Sequence, residues 1–133
     1  MDCVFCKIIA KQISNYTVYE DNNVLAFLDI FPHAKGHTVV IPKKHIASLE
    51  DLSLEDWQNI SVGLKNTLDK INLILKPDGC NIGINNKEIA GQVVPHVHWH
   101  IIPRYNSDGG GSIHSIIKNP GEQKVEEIAK LFE

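Results

Sequence analysis

The sequence predicts an α+β protein in which a five-stranded antiparallel sheet carries one long helix, with a short helix at the N-terminus and another at the C-terminus. Five short runs are rich in β-branched, aromatic and aliphatic residues and are bounded by turn formers, as strands are. One long stretch repeats its apolar residues with the 3.6-residue period of a helix. The strand-like runs follow one another as hairpins and do not alternate with helices, which separates the chain from parallel βαβ folds.

Val4 to Ala10 reads as a short amphipathic helix. Tyr16 to Glu20 and Val24 to Leu28 read as two strands joined by the turn formers Asp21, Asn22 and Asn23. Thr38 to Pro42, β-branched and apolar, is the third strand. Leu54, Trp57, Ile60, Leu64, Leu68, Ile71 and Leu75 then form the stripe of one helix. Ser53 stands three residues ahead of Asp56 as in a capping box, and Pro77-Asp78-Gly79 ends the helix. Cys80 to Asn86 and His96 to Pro103 complete the sheet, with Cys80 expected in the core. Ser107 to Ser112 reads as a flexible linker and lacks the lysine that a phosphate loop needs. Val125 to Phe132 is the terminal helix.

With 133 residues, 43% of them hydrophobic, the chain can bury one core, and a single domain over 1–133 is expected. The net charge of −3 offers no basic face for nucleic acid. No apolar run is long enough to span a membrane, and Asp2, Lys7 and Lys11 interrupt the stretch where a signal peptide would be apolar. A cytoplasmic protein without membrane or nucleic-acid partners is expected. Three cysteines, two of them in Cys3-x-x-Cys6, suit metal or thiol chemistry in a reducing compartment better than a disulfide framework.

The chemistry concentrates at His96, His98 and His100. Every second position of a strand faces the same way, about 6.6 Å apart, so three imidazoles share one face. One such histidine is usually a packing residue, whereas three in register point to a metal site or to nucleophilic and acid–base work. Cys3 and Cys6 would fill half of a tetrahedral zinc shell and want two histidines; read otherwise, they are two half-buried thiols. Asp29, at the end of an apolar strand, places two acceptor oxygens at the edge of a greasy pocket, which suits a diol.

The run His96-Val97-His98-Trp99-His100-Ile101-Ile102 resembles the signature of the histidine triad superfamily of nucleotide hydrolases and transferases. Val4 to Ile9, Ala26 to Pro32 and Gly36 to His45 resemble the preceding blocks of the same domain, so the likeness spans roughly residues 3 to 105 and leaves 106–133 as a C-terminal extension. Within the superfamily the chain is most similar to the Hint branch in its microbial, zinc-containing form, where Pro-Arg follows the triad as Pro103-Arg104 does here.

The resemblance implies a structural zinc on Cys3, Cys6, His45 and His96. It makes His98 the nucleophile that carries a nucleotidyl group, puts His100 at the α-phosphate or bridging oxygen, and sets His37 close by in support. Asp29 is expected on the ribose, with Phe5, Ile8, Phe27 and Ile30 around a loosely discriminated base. Asn85, Gln92 and Val93 are expected near the phosphate, Val93 standing where the family usually has Ser or Thr. Trp99 faces the other way, toward the core or a dimer interface, and His33 and His114 are expected at the surface. The implied activity is hydrolysis of nucleoside 5′-phosphoramidates of the adenosine type by a homodimer that takes a purine nucleotide substrate. Dinucleoside polyphosphate hydrolysis, nucleotidyl transfer and a non-catalytic nucleotide-binding module are the alternatives.

Overall fold

The computed structural model describes residues 2–133. Its elements are α1 (Val4–Ile9), β1 (Thr17–Glu20), β2 (Val24–Leu28), β3 (Thr38–Pro42), α2 (Leu54–Leu75), β4 (Gly79–Ile84), β5 (Trp99–Arg104) and α3 (Val125–Lys130), with three short 3-10 turns between them. The strands form one sheet in the order β1-β2-β3-β5-β4, every neighbouring pair antiparallel. This is the expected α+β architecture. Among the described residues no helix is long and apolar enough to cross a membrane.

Local chemistry explains the first turn and the long helix. The Asp21 carboxylate accepts the amides of Asn23 and Val24 at 2.7 and 2.8 Å, which folds β1 back along β2. Ser53 and Asp56 cap α2 reciprocally, the Asp56 amide donating to Ser53 Oγ and the Ser53 amide to the Asp56 carboxylate. At the other end Lys76 takes the left-handed conformation and stops the helix.

The sheet has two different faces. Val24, Ala26, Val40, Trp99 and Ile101 pack with Ile60 and Ile71 of α2 in the main core. Burying two isoleucines stabilises this contact by about 1.5–3 kcal/mol each. Gly63 lets the helix lie close, because a Cβ there would meet Val24 carbons at 2.6–2.8 Å. On the opposite face Leu25, Phe27, Val39 and Ile41 pack with Cys3, Phe5 and Ile8 of the N-terminal segment. The helix α1 is only six residues long, so this cover is partial and the β5 half of the face stays open to clefts.

Several expectations are corrected. The fifth strand begins at Trp99, three residues later than predicted, although Val97, Trp99 and Ile101 keep alternating toward the main core. Cys80 is exposed, because β4 is an edge strand, paired only with β5. Leu54 is 75% exposed; the buried line of α2 is Ile60, Gly63, Thr67 and Ile71. Residues 107–112 hold a fixed turn rather than a free linker, since Asp108 binds the Arg104 guanidinium twice at 2.8 Å and also accepts the amides of Tyr105 and Gly110. Small shifts at other ends leave Tyr16, Asn85 and Asn86 outside strands and end α3 at Lys130.

Candidate active site and metal-ligand cluster

The N-terminal segment, the loop after β3 and the start of the triad meet at four ligands. Cys3 Sγ lies 3.5 Å from His96 Nδ1, Cys6 Sγ lies 3.7 Å from the same nitrogen, and Cys6 Sγ lies 3.3 Å from His45 Nδ1. A tetrahedral zinc with its usual bond lengths would separate its sulfur and nitrogen ligands by about 3.5 Å, so the spacing fits. The fully buried His96 donates Nε2–H to the carbonyl of Pro42 at 2.9 Å, which leaves Nδ1 as the free lone pair facing the thiols. Cys3, Cys6, His45 and His96 could therefore hold a metal ion.

His98 and His100 belong to another constellation. The His98 Nδ1–H donates to the carbonyl of His96 at 2.8 Å, so Nε2 is its unprotonated nitrogen. Burial pushes the His98 pKa down, only partly countered by that hydrogen bond and by Asp29. Its ring is fixed edge-on by Phe5, centroids 5.1 Å apart. His37, buried in the turn before β3, accepts the backbone amide of His33 at Nδ1 over 3.1 Å. Its proton must then sit on Nε2, which donates to His100 Nδ1 at 2.9 Å. His100 in turn carries its own proton on Nε2. Burial holds His37 below the ordinary value, and burial with the neighbouring His98 and His37 brings His100 to about 4. The pair is neutral and its tautomers are fixed by one amide.

Two clefts meet at His100. The first, about 540 Å³, is lined by Phe5, Ile8, Phe27, Asp29, Ile30, Asn85, Val93, His98 and His100, together with Val4, Ile13, Leu28, Val39 and Val94. Asp29 Oδ1 accepts the Phe31 amide at 2.8 Å, and Oδ2 stands 3.7 Å from His37 Nε2. A second cleft, about 660 Å³, runs from His100 across β4 toward Arg104 and Lys35. This arrangement supplies an apolar slot, an acceptor carboxylate at its rim, an unprotonated imidazole nitrogen and a neutral imidazole donor.

The sequence profile described as the HIT domain matches residues 10–107, most of the chain. The chain belongs to the HIT family. It is 50% identical over 107 residues to an uncharacterised HIT-like protein of Methanocaldococcus jannaschii, covering 80% of this chain and 82% of that one. It is 43% identical over 110 residues to the adenosine 5′-monophosphoramidase of Schizosaccharomyces pombe, covering 83% and 80%. Among solved structures, a HIT family member from Bacillus subtilis superposes with a TM-score of 0.87 at 41% identity, covering 99% of this chain and 93% of that one. A zinc-bound histidine triad family protein from Mycobacterium smegmatis superposes with a TM-score of 0.78 at 36% identity, covering 91% and 85%. HIT membership, a hydrolase family, accords with the histidine constellation.

Most residues expected from the HIT resemblance converge on the first cleft or the metal-ligand cluster. Gln92 does not: its amide is engaged by the amide of Lys87 and the carbonyls of Ala47 and Val94, so it braces the loop ahead of the triad. Ile30 and Val93 line the cleft while remaining largely exposed. His33 is more than a surface residue, since its amide fixes His37 and its side chain borders both clefts. Trp99 stacks edge-on with Trp57 in the main core. Val39 was legible in principle, because it pairs with both Phe27 and His100 across the sheet and so shares their face.

Proposed function

We propose that this HIT protein hydrolyses nucleoside 5′-phosphoramidates of the adenosine type through a nucleotidyl group carried on His98. The observation that carries the reading is the pair of fixed tautomers: His98 keeps Nε2 unprotonated, and His100 keeps a neutral Nε2–H donor beside it. The base would lie in the apolar slot formed by Phe5, Ile8, Phe27 and Ile30, with Asp29 on the ribose hydroxyls and Asn85 near the phosphate. The phosphoramidase named from Schizosaccharomyces pombe supports the same substrate class.

In this mechanism His98 Nε2 attacks the α-phosphorus as the P–N bond of the substrate breaks. The electron pair goes to the departing nitrogen, which takes up a solvent proton and leaves as an amine. The neutral His100 donates its Nε2–H to a phosphate oxygen and takes up no second proton, in line with its low pKa. Water then attacks the phosphorus, the P–Nε2 bond breaks with its electrons returning to His98, and the proton lost by water goes to solvent. The net reaction consumes one water and yields a nucleoside monophosphate and an amine. Two displacements replace one slow hydrolysis.

Zinc is the metal that two thiolates and two imidazoles suit, and bound there it would cross-link the N-terminus to the loop after β3 and to the triad. A single domain acting in the cytoplasm as a homodimer is part of the same reading, because the β4 edge and the exposed Val62, Leu73 and Ile74 of α2 invite a symmetric partner. Sedimentation should give twice the chain mass. A panel of an adenosine phosphoramidate, a dinucleoside polyphosphate and a nucleotide sugar tests the activity. Preferred turnover of the phosphoramidate is expected; preference for the polyphosphate would replace this reading with the dinucleotide hydrolase one.

A further inference from the structure

The proposed function places the nucleoside in the first cleft and leaves the second unused, yet the second starts at the same His100 and shares His33 and Asn85 with the first. A substrate whose α-phosphorus lies at His98 and whose nucleoside fills the first cleft has one bond left to direct, the bond that breaks. The open direction beyond His100 is the second cleft.

Its floor is made by β4. Residues paired directly across an antiparallel ladder share a face, and Gly83 is the partner of His100 while Asn81 is the partner of Ile102. No side chain therefore stands beside His100 on the β4 side. A Cβ at Gly83 would meet nothing within 4 Å, so the space there is empty rather than filled by a neighbour. The absence of a side chain at this one position is what opens the cleft toward the reacting centre.

The far wall carries charge. Arg104 is spoken for: its guanidinium binds both oxygens of Asp108 at 2.8 Å and donates to Asn81 Oδ1 at 2.8 Å. Lys35 is different. Among the described residues no carboxylate forms an ion pair with it, and its ammonium stands 6.0 Å over the ring of Tyr105, another lining residue. Ile82, Ile102 and Ile116 add apolar surface between His100 and this cation.

We infer that the second cleft is a chamber for the leaving group, opened by Gly83, and that Lys35 selects bulky primary amines bearing a carboxylate. The inference rests on the phosphoramidase reading and adds the side of the substrate that the nucleoside cleft leaves unspecified.

Three adenosine 5′-phosphoramidates test it, with ammonia, 4-(aminomethyl)benzamide and 4-(aminomethyl)benzoate as leaving amines. The kcat/KM ratio of the benzamide to the ammonia compound reads size, and the ratio of benzoate to benzamide reads charge. In Gly83→Val the size ratio should fall at least tenfold, as a branched side chain occupies the chamber beside His100. In Lys35→Met the charge ratio, expected at threefold to fivefold in the wild-type protein at low salt, should fall to unity. Lys35 is exposed, so this variant does not depend on core repacking, and thermal melts verify that Gly83→Val is folded. A size ratio unmoved by Gly83→Val overturns the chamber. A charge ratio unmoved by Lys35→Met overturns the selectivity. Failure of the wild-type protein to turn over even the ammonia compound overturns the phosphoramidase reading instead.

Discussion

His96 and His98 stand two residues apart in one buried segment, and the backbone uses their rings in opposite ways. In His96 the Nε2–H goes to the carbonyl of Pro42, and Nδ1 is left facing two thiols. In His98 the Nδ1–H goes to the carbonyl of His96, and Nε2 is left without a proton. Which nitrogen a carbonyl claims decides which nitrogen is available, and the available one faces either a cluster able to hold a metal or the first cleft. On the proposed reading, identical side chains in the same run divide into a structural end and a reactive end.

The division predicts a separation of effects, largest first. His98→Ala should lower turnover of an adenosine phosphoramidate by roughly 10³-fold or more, because it removes the proposed nucleophile. Its melting temperature should stay within a few degrees of the wild type. A nucleotidyl adduct should be trapped on the wild-type protein and be missing from the variant, as mass spectrometry of acid-stable or rapidly quenched samples would read. Retained turnover would dissolve the contrast.

The structural end should respond in the opposite manner. His96→Ala, or removal of zinc with a chelator, should cost on the order of 4 kcal/mol of stability, the range typical of losing a structural metal. Calorimetry and metal analysis of the folded protein are the readouts, and undiminished stability in metal-free protein would end the zinc assignment.

Asp29→Ala should weaken ribonucleotide binding by about 1.5–3 kcal/mol, through loss of a charged acceptor at the hydroxyls. Measured against a 2′,3′-dideoxynucleotide the loss should vanish. A comparable effect concerns acid. His100 sits at about 4 in the fold against 6.5 unperturbed. A histidine depressed in this way stays neutral in the folded protein while the unfolded chain takes up a proton, so stability is retained above 6.5 and declines as the pH falls from there toward 4. The decline attributable to His100 should be on the order of 3 kcal/mol. Comparing melts of the wild type and His100→Gln across that window isolates it, and parallel curves would show that His100 is not the group responsible.

Much of this architecture was legible in the residues. The long helix announced both its ends through Ser53, Asp56 and Pro77, because capping and breaking are local chemistry. The alternation around the triad gave the facing of each side chain correctly while placing the strand three residues early. Periodicity reports where side chains point, and Val97 and His98 point as strand residues do without a ladder partner of that kind. Cys80 failed for another reason: its strand carries the apolar Ile82 and Ile84, yet that strand lies at the edge of the sheet, and strand order is a property of the whole topology. Gln92 was expected among the nucleotide-binding residues, and its side chain braces a loop. The bracing was not legible in the sequence, because it depends on where the fold puts Lys87, Ala47 and Val94.

The amide of His33 leads to a different kind of consequence. It sets the proton position on His37 and, through it, on His100, yet an amide hydrogen belongs to every residue except proline. This part of the reactive arrangement is consequently written in chain path rather than in residue identity. Substitution could sample nearly the whole alphabet at position 33 and leave the protonation pattern intact, whereas proline there, or a change of loop length between Asp29 and His37, would rewrite it without altering one histidine. Proteins sharing all the same side chains could differ in chemistry for that reason alone.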